Sequence, residues 1–324
     1  MLKSILAAGL VLGGTAFAVC AEETLVLGLQ ESGTALWEIE AIHALGLDDK
    51  YGVTLEIRPL ADSRAGQIAL QAGAVDVILS DFTWVSAQRH LGSDFTLVPH
   101  SLAVGGLIVP ADSEIEAVED LAGKTIGVAG GPVDKSFVVL QAYYAAVTDS
   151  TLIDDAQARF GAPPLVNELL ASGGVDAGLN FWHWNARAKA AGMREVISVA
   201  GMFEGLGLSA PPPLLGWTFS ESVAAQKGDA FQAFLDASFE AKAALLSDDA
   251  VWEELAPVMG AADDRALFVQ LRDGYRAGIV EAYDPDDTEL AELTFGLLAE
   301  FGGPDVVGEQ TELAPGTFWE GYRK

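Results

Sequence analysis

Two segments of the chain, 100 residues apart, repeat one pattern. GAVDVILSDFTW occupies residues 73–84 and GGVDAGLNFWHW occupies residues 173–184, with a glycine, a valine, an aspartate, a leucine and a tryptophan in register. Each copy has the pattern of a helix end, a glycine at the C-terminal cap, a short apolar strand, and a polar and aromatic turn into the next helix. The repeat therefore predicts two similar α/β lobes.

The repeated strands also indicate where a ligand would bind. In open α/β sheets, ligands bind in the crevice outside the carboxyl ends of the strands. Ser80 and Asn180 stand at the two strand ends, and Trp84 and Trp184 follow them. We expect both segments to face one cleft between the lobes.

The first 21 residues, MLKSILAAGLVLGGTAFAVCA, have the pattern of a secretory signal peptide. One positive charge precedes an apolar run, and cleavage after Ala18 or after Ala21 fits the small residues there. Cleavage after Ala21 would remove Cys20, the only cysteine of the chain. Val19 stands where a small residue normally precedes a lipidated cysteine, which disfavours a lipid anchor. No later run approaches the ~18–20 apolar residues of a spanning helix, so we expect a soluble exported protein.

The charge balance excludes some partners. The chain has 47 acidic and 18 basic side chains, a net charge of −29. Nucleic acids and anionic membranes require clustered lysine and arginine, so neither is expected as a partner. The acidity favours solubility, and a field that attracts a cation is the alternative interpretation.

Hydrophobic periodicity and turn residues give an alternating order of strands and helices, which is typical of doubly wound sheets. Strands are predicted at 24–29, 53–59, up to 79, 95–109, 125–129, 175–179, 195–199 and 214–219. Helices are predicted at 34–45, 63–72, 82–91, 136–147, 228–246, 249–258, 263–280 and 287–300, with a short one after 114.

Two crossings between the lobes are expected, near 99–108 and 199–213, and 201–213 should be irregular because glycine and proline are frequent there. The predicted division is a signal peptide at 1–21, the first part of lobe 1 at 22–104, lobe 2 at 105–200, and a return to lobe 1 with the C-terminal helices at 201–324.

Motifs of common catalytic and metal sites are absent from the sequence. The GKT at 123–125 leads into a strand, unlike a phosphate-binding loop, and the four histidines lack metal-ligand spacing. No GxSxG motif occurs. The remaining candidates lie in loops at strand ends and are Gln30, Glu31, Ser32, Trp37, Ser80, Asp81, Trp84, Gly131, Lys135, Ser136, Asn180, Trp182 and Trp184.

Two features of these loops have alternative interpretations. The turn Gly130-Gly131-Pro132 leaves amides before a helix N-terminus, which suits an anionic group, but it is equally typical of a tight turn. The tryptophans could stack on a ligand or pack as core beneath the loops.

Two further segments carry a family resemblance. Residues 72–76 read AGAVD before a strand, and residues 120–128 read DLAGKTIGV before a glycine- and serine-containing loop and a helix. With these motifs the chain resembles the substrate-binding proteins of nitrate/sulfonate/taurine-type ABC importers. The pyrimidine-precursor binders of thiamine synthesis are similar.

The resemblance implies a type II periplasmic-binding fold, in which two doubly wound α/β lobes on a two-strand hinge close on a solute. It further implies a periplasmic monomer that binds a small molecule without a cofactor, delivers it to an inner-membrane permease and is not an enzyme. The ligand loops of the family fall on Gln30–Gly33, Ser80–Asp81, Gly131–Ser136 and Asn180–Trp182. Sulfonate and nitrate binders usually place strong donors there, whereas this chain offers only Lys135 among basic side chains.

We therefore expect an amino-substituted heteroaromatic or cationic solute, held between aromatic faces of both lobes. One alternative is a metal or metal-chelate receptor in which Glu31, Asp81 and Asp134 converge as oxygen ligands. Another is an enzyme on the same fold. Thiamine-pathway relatives that do chemistry rely on a cysteine-rich motif, and the mature chain would lack cysteine.

Overall fold

The computed structural model describes residues 23–31 and 33–324. The predicted signal peptide, Cys20 and the candidate Ser32 lie outside the described residues. Within the described ranges, no helix is both long and apolar enough to cross a membrane.

Two five-stranded sheets form the framework of the described chain. Their strands are β1 (Glu23–Gln30), β2 (Val53–Leu60), β3 (Val77–Asp81), β4 (Phe95–Ser101), β5 (Gly106–Val109), β6 (Thr125–Ala129), β7 (Gln157–Gly161), β8 (Ala177–Asn180), β9 (Arg194–Ser198) and β10 (Leu215–Ser220). The first sheet has the order β2-β1-β3-β10-β4, and the second has the order β7-β6-β8-β5-β9.

Helices cover the sheets and fill the C-terminal region. They are α1 (Ala35–Ala44), α2 (Leu47–Tyr51), α3 (Ser63–Gln71), α4 (Phe82–His90), α5 (Lys135–Thr148), α6 (Leu152–Asp155), α7 (Pro163–Ala171), α8 (Trp182–Ala190), α9 (Val199–Gly205), α10 (Glu221–Gln226), α11 (Gly228–Ser247), α12 (Asp249–Leu255), α13 (Arg265–Arg276), α14 (Glu289–Gly302) and α15 (Pro304–Val307). A 3-10 turn at Val118–Leu121 takes the place of the short helix expected after 114.

The two sheets have the same construction. In the first, β1 runs parallel to β2 and β3, while β10 runs antiparallel to β3 and β4. In the second, β6 runs parallel to β7 and β8, while β5 runs antiparallel to β8 and β9. The predicted architecture of two doubly wound α/β lobes is confirmed, and the repeated segments supply the central strands β3 and β8.

The repeated aspartates explain part of the sequence repeat. The carboxylate of Asp76 accepts a hydrogen bond from the backbone N–H of Val26 at 2.8 Å, and that of Asp176 accepts one from Thr125 at 2.7 Å. Each aspartate thus fixes its central strand to the start of the neighbouring strand. Both copies of the repeat thus contain the same aspartate-to-backbone hydrogen bond between neighbouring strands, in addition to the same glycine turn.

The chain crosses between the sheets at 102–105, after β4, and returns at 199–214, before β10. Gly105 passes so close to β8 that a Cβ atom there would lie 1.7 Å from the backbone oxygen of Asn180, so no other residue fits without a backbone shift. The C-terminal helices contact both lobes, because α13 packs on α8, α14 on α5 and α15 on α4. The predicted domain boundaries stay a prediction.

The segment predicted to be irregular at 201–213 begins as a helix, α9, so that part of the prediction is wrong. The Ser198 side chain caps the helix by accepting from the Gly201 N–H at 3.0 Å, and Met202 and Phe203 are fully buried. A Cβ atom on Gly205 would lie 2.4 Å from the Tyr143 ring, so the glycine permits close packing on α5. Burial and capping outweigh the weak helix propensity of glycine here.

A charged pair lies inside the first lobe. Glu38 of α1 is fully buried, and its two carboxylate oxygens lie 2.9 and 2.8 Å from Nζ of the buried Lys242 on α11. Ser238 and Tyr275 also donate to this carboxylate. Burial raises the pKa of Glu38, but the charge of Lys242 and the hydrogen bonds from Lys242 and Ser238 hold it below its usual value.

Replacing one partner of this pair should destabilise the protein strongly. Lys242→Met leaves the Glu38 carboxylate buried without its counter-charge, and we expect a loss of ~3–5 kcal/mol in the free energy of unfolding. The double variant Glu38→Gln, Lys242→Met removes both charges and should recover part of that loss. Urea denaturation at neutral pH measures both. A loss below ~1 kcal/mol for Lys242→Met would contradict the assignment.

Candidate functional site

A cavity of about 330 Å³ lies between the two sheets. The first lobe contributes the carboxyl ends of β1, β3 and β4 and the start of α3, and the second lobe contributes the first residues of α5 and α8. Ala103–Gly105 of the first crossing closes one side. The cavity therefore lies where the strand-end rule places a ligand.

The described part of the cavity wall contains six of the predicted site residues: Gln30, Ser80, Asp81, Lys135, Ser136 and Trp182. Gln30 Nε2 donates to Ser63 Oγ at 2.8 Å, and Gln67 Nε2 donates to Ser80 Oγ at 3.3 Å. These bonds hold two hydroxyl groups at the cavity. A hydroxyl that already accepts one hydrogen bond still has its own proton to donate.

Trp84 and Trp184 do not line the cavity, which favours the alternative in which these tryptophans pack beneath the loops. Trp84 stacks on Phe95 with ring centroids 5.5 Å apart, and Trp184 lies under the Arg187 guanidinium at 5.4 Å. In α8, where the first residue Trp182 lines the cavity, helix phase explains this placement. Each tryptophan is the third residue of its helix and points about 200° around the axis from the first residue.

Asn180 and Trp37 are also absent from the cavity wall, because their side chains are engaged elsewhere. Asn180 is buried. Its amide nitrogen donates to Pro163 and Asn167 at 2.9 Å each, and its oxygen accepts from the Phe181 N–H at 2.9 Å. Trp37 is buried edge-on against Trp182, with centroids 5.8 Å apart. Trp37 thus supports the wall from behind.

The remaining predicted residues, Glu31 and Gly131, also lie off the cavity wall. Glu31 is exposed. The helix N-terminus after Gly131 is already capped, since Asp134 accepts from the N–H groups of Ser136 at 3.0 Å and Phe137 at 3.3 Å. At this helix N-terminus, the amides of Ser136 and Phe137 are therefore already paired with the protein's own carboxylate.

One ion pair joins the lobes across the cavity. Lys135 Nζ, at the start of α5, lies 3.3 Å from Oδ2 of Asp81, at the end of β3. Asp81 also caps α4 by accepting from the Trp84 N–H at 2.8 Å. Burial raises the pKa of Asp81, but Lys135 and its hydrogen bonds outweigh that effect and leave it low. Burial raises the pKa of the neighbouring Asp134 above its usual value.

The carboxylates do not assemble a metal centre. Asp81 and Asp134 line the cavity and Glu31 does not. Over residues 23–31 and 33–324, no group of three histidine, cysteine, aspartate or glutamate side chains is arranged to hold a metal ion. The geometry does not support the metal-receptor alternative.

Two histidines line the cavity that the sequence reading did not select, His100 and His183. Their spacing was compared only with metal-ligand patterns. The strand-end rule, applied to β4, would have selected His100, and His183 adjoins the selected Trp182. Burial lowers the pKa of each imidazole to about 4, and Arg187 contributes to the shift of His183. Both rings are therefore neutral at physiological pH.

These low pKa values predict acid sensitivity. Between about pH 6.5 and about pH 4 the unfolded state binds more protons than the folded state, so stability falls as the pH falls. Each imidazole should cost about 2 kcal/mol between about pH 7 and about pH 5. His183→Phe should remove that share of the loss. Denaturant titrations of both proteins across this range measure it, and equal slopes would contradict the assignment.

Comparisons with known proteins agree with the fold. A family model described as NMT1/THI5 like matches residues 45–249. No curated protein matches the chain.

Solved structures share the two-lobed architecture. The alkanesulfonate-binding protein SsuA from Xanthomonas axonopodis pv. citri, bound to MOPS, is 19% identical with a TM-score of 0.69, over 91% of this chain and 98% of that one. The periplasmic aliphatic sulphonate binding protein SsuA from Escherichia coli is 20% identical with a TM-score of 0.70, over 92% and 97%. The desulfurization enzyme DSZB is 19% identical with a TM-score of 0.59, over 91% and 97%. At these identities the likeness establishes the fold.

Proposed function

The chain belongs to the NMT1/THI5-like family, and from this membership we propose that it is a periplasmic solute-binding receptor of an ABC importer. The observation that carries the proposal is the cavity of about 330 Å³ between two lobes that are joined by two crossing segments. The two SsuA proteins with this fold are named as sulfonate-binding proteins. The receptor would be exported through residues 1–21 and act as a monomer that delivers its solute to an inner-membrane permease.

We propose an amino-substituted heteroaromatic or cationic organic solute. Among the described residues, Lys135 is the one lysine or arginine on the cavity wall, and Asp81 pairs with it. A sulfonate would therefore compete with a carboxylate for a single lysine. Phe181 and Trp182 offer aromatic faces, and a cation over an aromatic ring gains ~0.5–2 kcal/mol.

The described residues favour binding over catalysis. Cys20 is the only cysteine in the sequence, and it falls in the predicted signal peptide, so the described cavity has no thiol nucleophile. The enzyme DSZB shows that this fold also accommodates chemistry. Receptor function accounts for the two-lobed cavity without requiring a thiol nucleophile in it.

Calorimetry with matched small probes tests the solute class. We expect 4-aminopyrimidine to bind and ethanesulfonate not to bind. Ligand at a hundredfold excess over Kd should stabilise the protein by about 2.7 kcal/mol, and scattering should show compaction on closure. Tight ethanesulfonate binding without 4-aminopyrimidine binding would contradict the proposed class. Native mass spectrometry of the protein purified from its periplasm would identify a retained solute directly.

The two kinds of tryptophan should respond differently to truncation. Trp182→Ala removes an aromatic face of the cavity, and we expect the Kd of 4-aminopyrimidine to rise roughly tenfold to a hundredfold. Trp84→Ala removes packing on Phe95, so it should cost ~2–4 kcal/mol of stability and leave the Kd of the folded protein unchanged. Denaturation and titration of both variants separate the effects. An affinity loss confined to Trp84→Ala would reverse the assignment.

A further inference from the structure

The most constrained polar side chain of the cavity is His100. It lies near the carboxyl end of β4, is 3% exposed and lines the cavity. Its ring packs edge-on against Trp217 with centroids 4.7 Å apart. Neighbouring packing therefore holds the imidazole in one place.

One ring nitrogen of His100 faces the buried carboxylate of the first lobe. Nδ1 lies 3.4 Å from Oε2 of Glu38 and has no aligned hydrogen-bond partner among the described residues. Lys242 Nζ lies 2.8 Å from the same oxygen and keeps Glu38 ionised. A lone pair on Nδ1 would be repelled by this oxygen, whereas an N–H would be attracted. The Glu38 carboxylate therefore favours the tautomer of His100 that carries the proton on Nδ1.

The other ring nitrogen is then an acceptor. Nε2 would carry the lone pair and has no hydrogen bond to any described residue. His100 lines the cavity, and Nδ1 is the ring nitrogen that is fully buried, so we assign the cavity-facing position to Nε2. The low pKa of about 4 keeps a second proton off the ring at neutral pH. It also makes the imidazole a weak general base, so its available role is to accept a hydrogen bond.

We propose that His100 is the fixed hydrogen-bond acceptor of the cavity, so that the solute must present an N–H or O–H donor to its Nε2 atom. The proposal rests on the proposed solute-binding function and narrows the solute class. A primary or secondary amine, an amino-substituted ring or an alcohol satisfies the requirement. A quaternary ammonium group, or an unprotonated dialkylamino group on a ring, has no N–H for Nε2 and is selected against.

His183 differs in this respect. Its Nδ1 is also buried without a partner, but its neighbours are aromatic rings and Arg187, and no carboxylate pairs with it in the described chain. Nothing comparable to Glu38 fixes its tautomer. The fixed acceptor is therefore assigned to His100 alone.

The tautomer can be tested on the protein without solute. Long-range ¹H–¹⁵N spectra of histidine-labelled protein distinguish a protonated ring nitrogen from one that bears a lone pair. We expect His100, assigned through the spectrum of His100→Phe, to show the proton on Nδ1 and the lone pair on Nε2. A proton on Nε2, or on both nitrogens, would overturn the inference whatever solute binds.

The donor requirement is tested with 4-aminopyrimidine and 4-(dimethylamino)pyrimidine, which share a ring and differ in the N–H donors. The unaltered protein should prefer the first by about tenfold in Kd, about the effect of one hydrogen bond. His100→Phe should reduce the preference to within about twofold. His100→Gln, whose amide oxygen can accept, should retain part of it, and the exposed His43→Gln is the control.

The outcomes separate this inference from the proposed function. An undiminished preference in both His100 variants would overturn the inference and leave the receptor proposal intact. If neither probe binds the unaltered protein, the proposed solute class is contradicted, while the spectra still decide the assignment of His100. A lost preference in His100→Phe together with the Nδ1–H tautomer supports both.

Discussion

The buried carboxylate of Glu38 links three helices of this molecule, α1, α11 and α13. An ionised carboxylate inside a protein is costly unless several donors satisfy it. Lys242, Ser238 and Tyr275 supply those donors from α11 and α13, which fixes both C-terminal helices against α1.

Two side chains that lie against Glu38, His100 and Tyr275, link it to the cavity. His100 lies on one side of the carboxylate and at the cavity itself. On the other side, the Tyr275 ring contacts Trp182, a wall residue from the second lobe, with centroids 6.1 Å apart. A single buried charge in the first lobe therefore orients a polar group of its own lobe and an aromatic group of the opposite lobe.

The sequence was informative about the framework for a physical reason. Apolar alternation and glycine caps are local signals, so the repeat located β3 and β8, and the strand-end rule located the loops at Ser80 and Lys135. Local signals do not determine which side of a helix faces the cavity, so the candidates included Trp84 and Trp184 beside Trp182. Of these three, Trp182 lines the cavity, from the first position of α8.

Long-range contacts account for the other errors. The helix α9 depends on burial of Phe203 and on close packing of Gly205 against Tyr143, more than 60 residues away in sequence. His100 acquires its role from Glu38 and from Trp217, which are distant in the chain and adjacent only in the fold. Neither a propensity nor a spacing rule contains that information.

The two copies of the repeat have the same backbone arrangement but place different side chains at equivalent positions. Asp81 and Phe181 occupy equivalent positions at the N-termini of α4 and α8, yet the first is a capping carboxylate and the second an aromatic ring. The first lobe thus presents His100, Ser80 and Asp81 to the cavity, while the second presents Phe181, Trp182 and Lys135. The phenyl and indole faces thus come from the second lobe, whereas polar side chains line the cavity from both lobes. The Lys135–Asp81 pair that crosses the cavity neutralises the one lysine of its described wall, so the proposed solute would be recognised by hydrogen bonds and ring contacts more than by net charge.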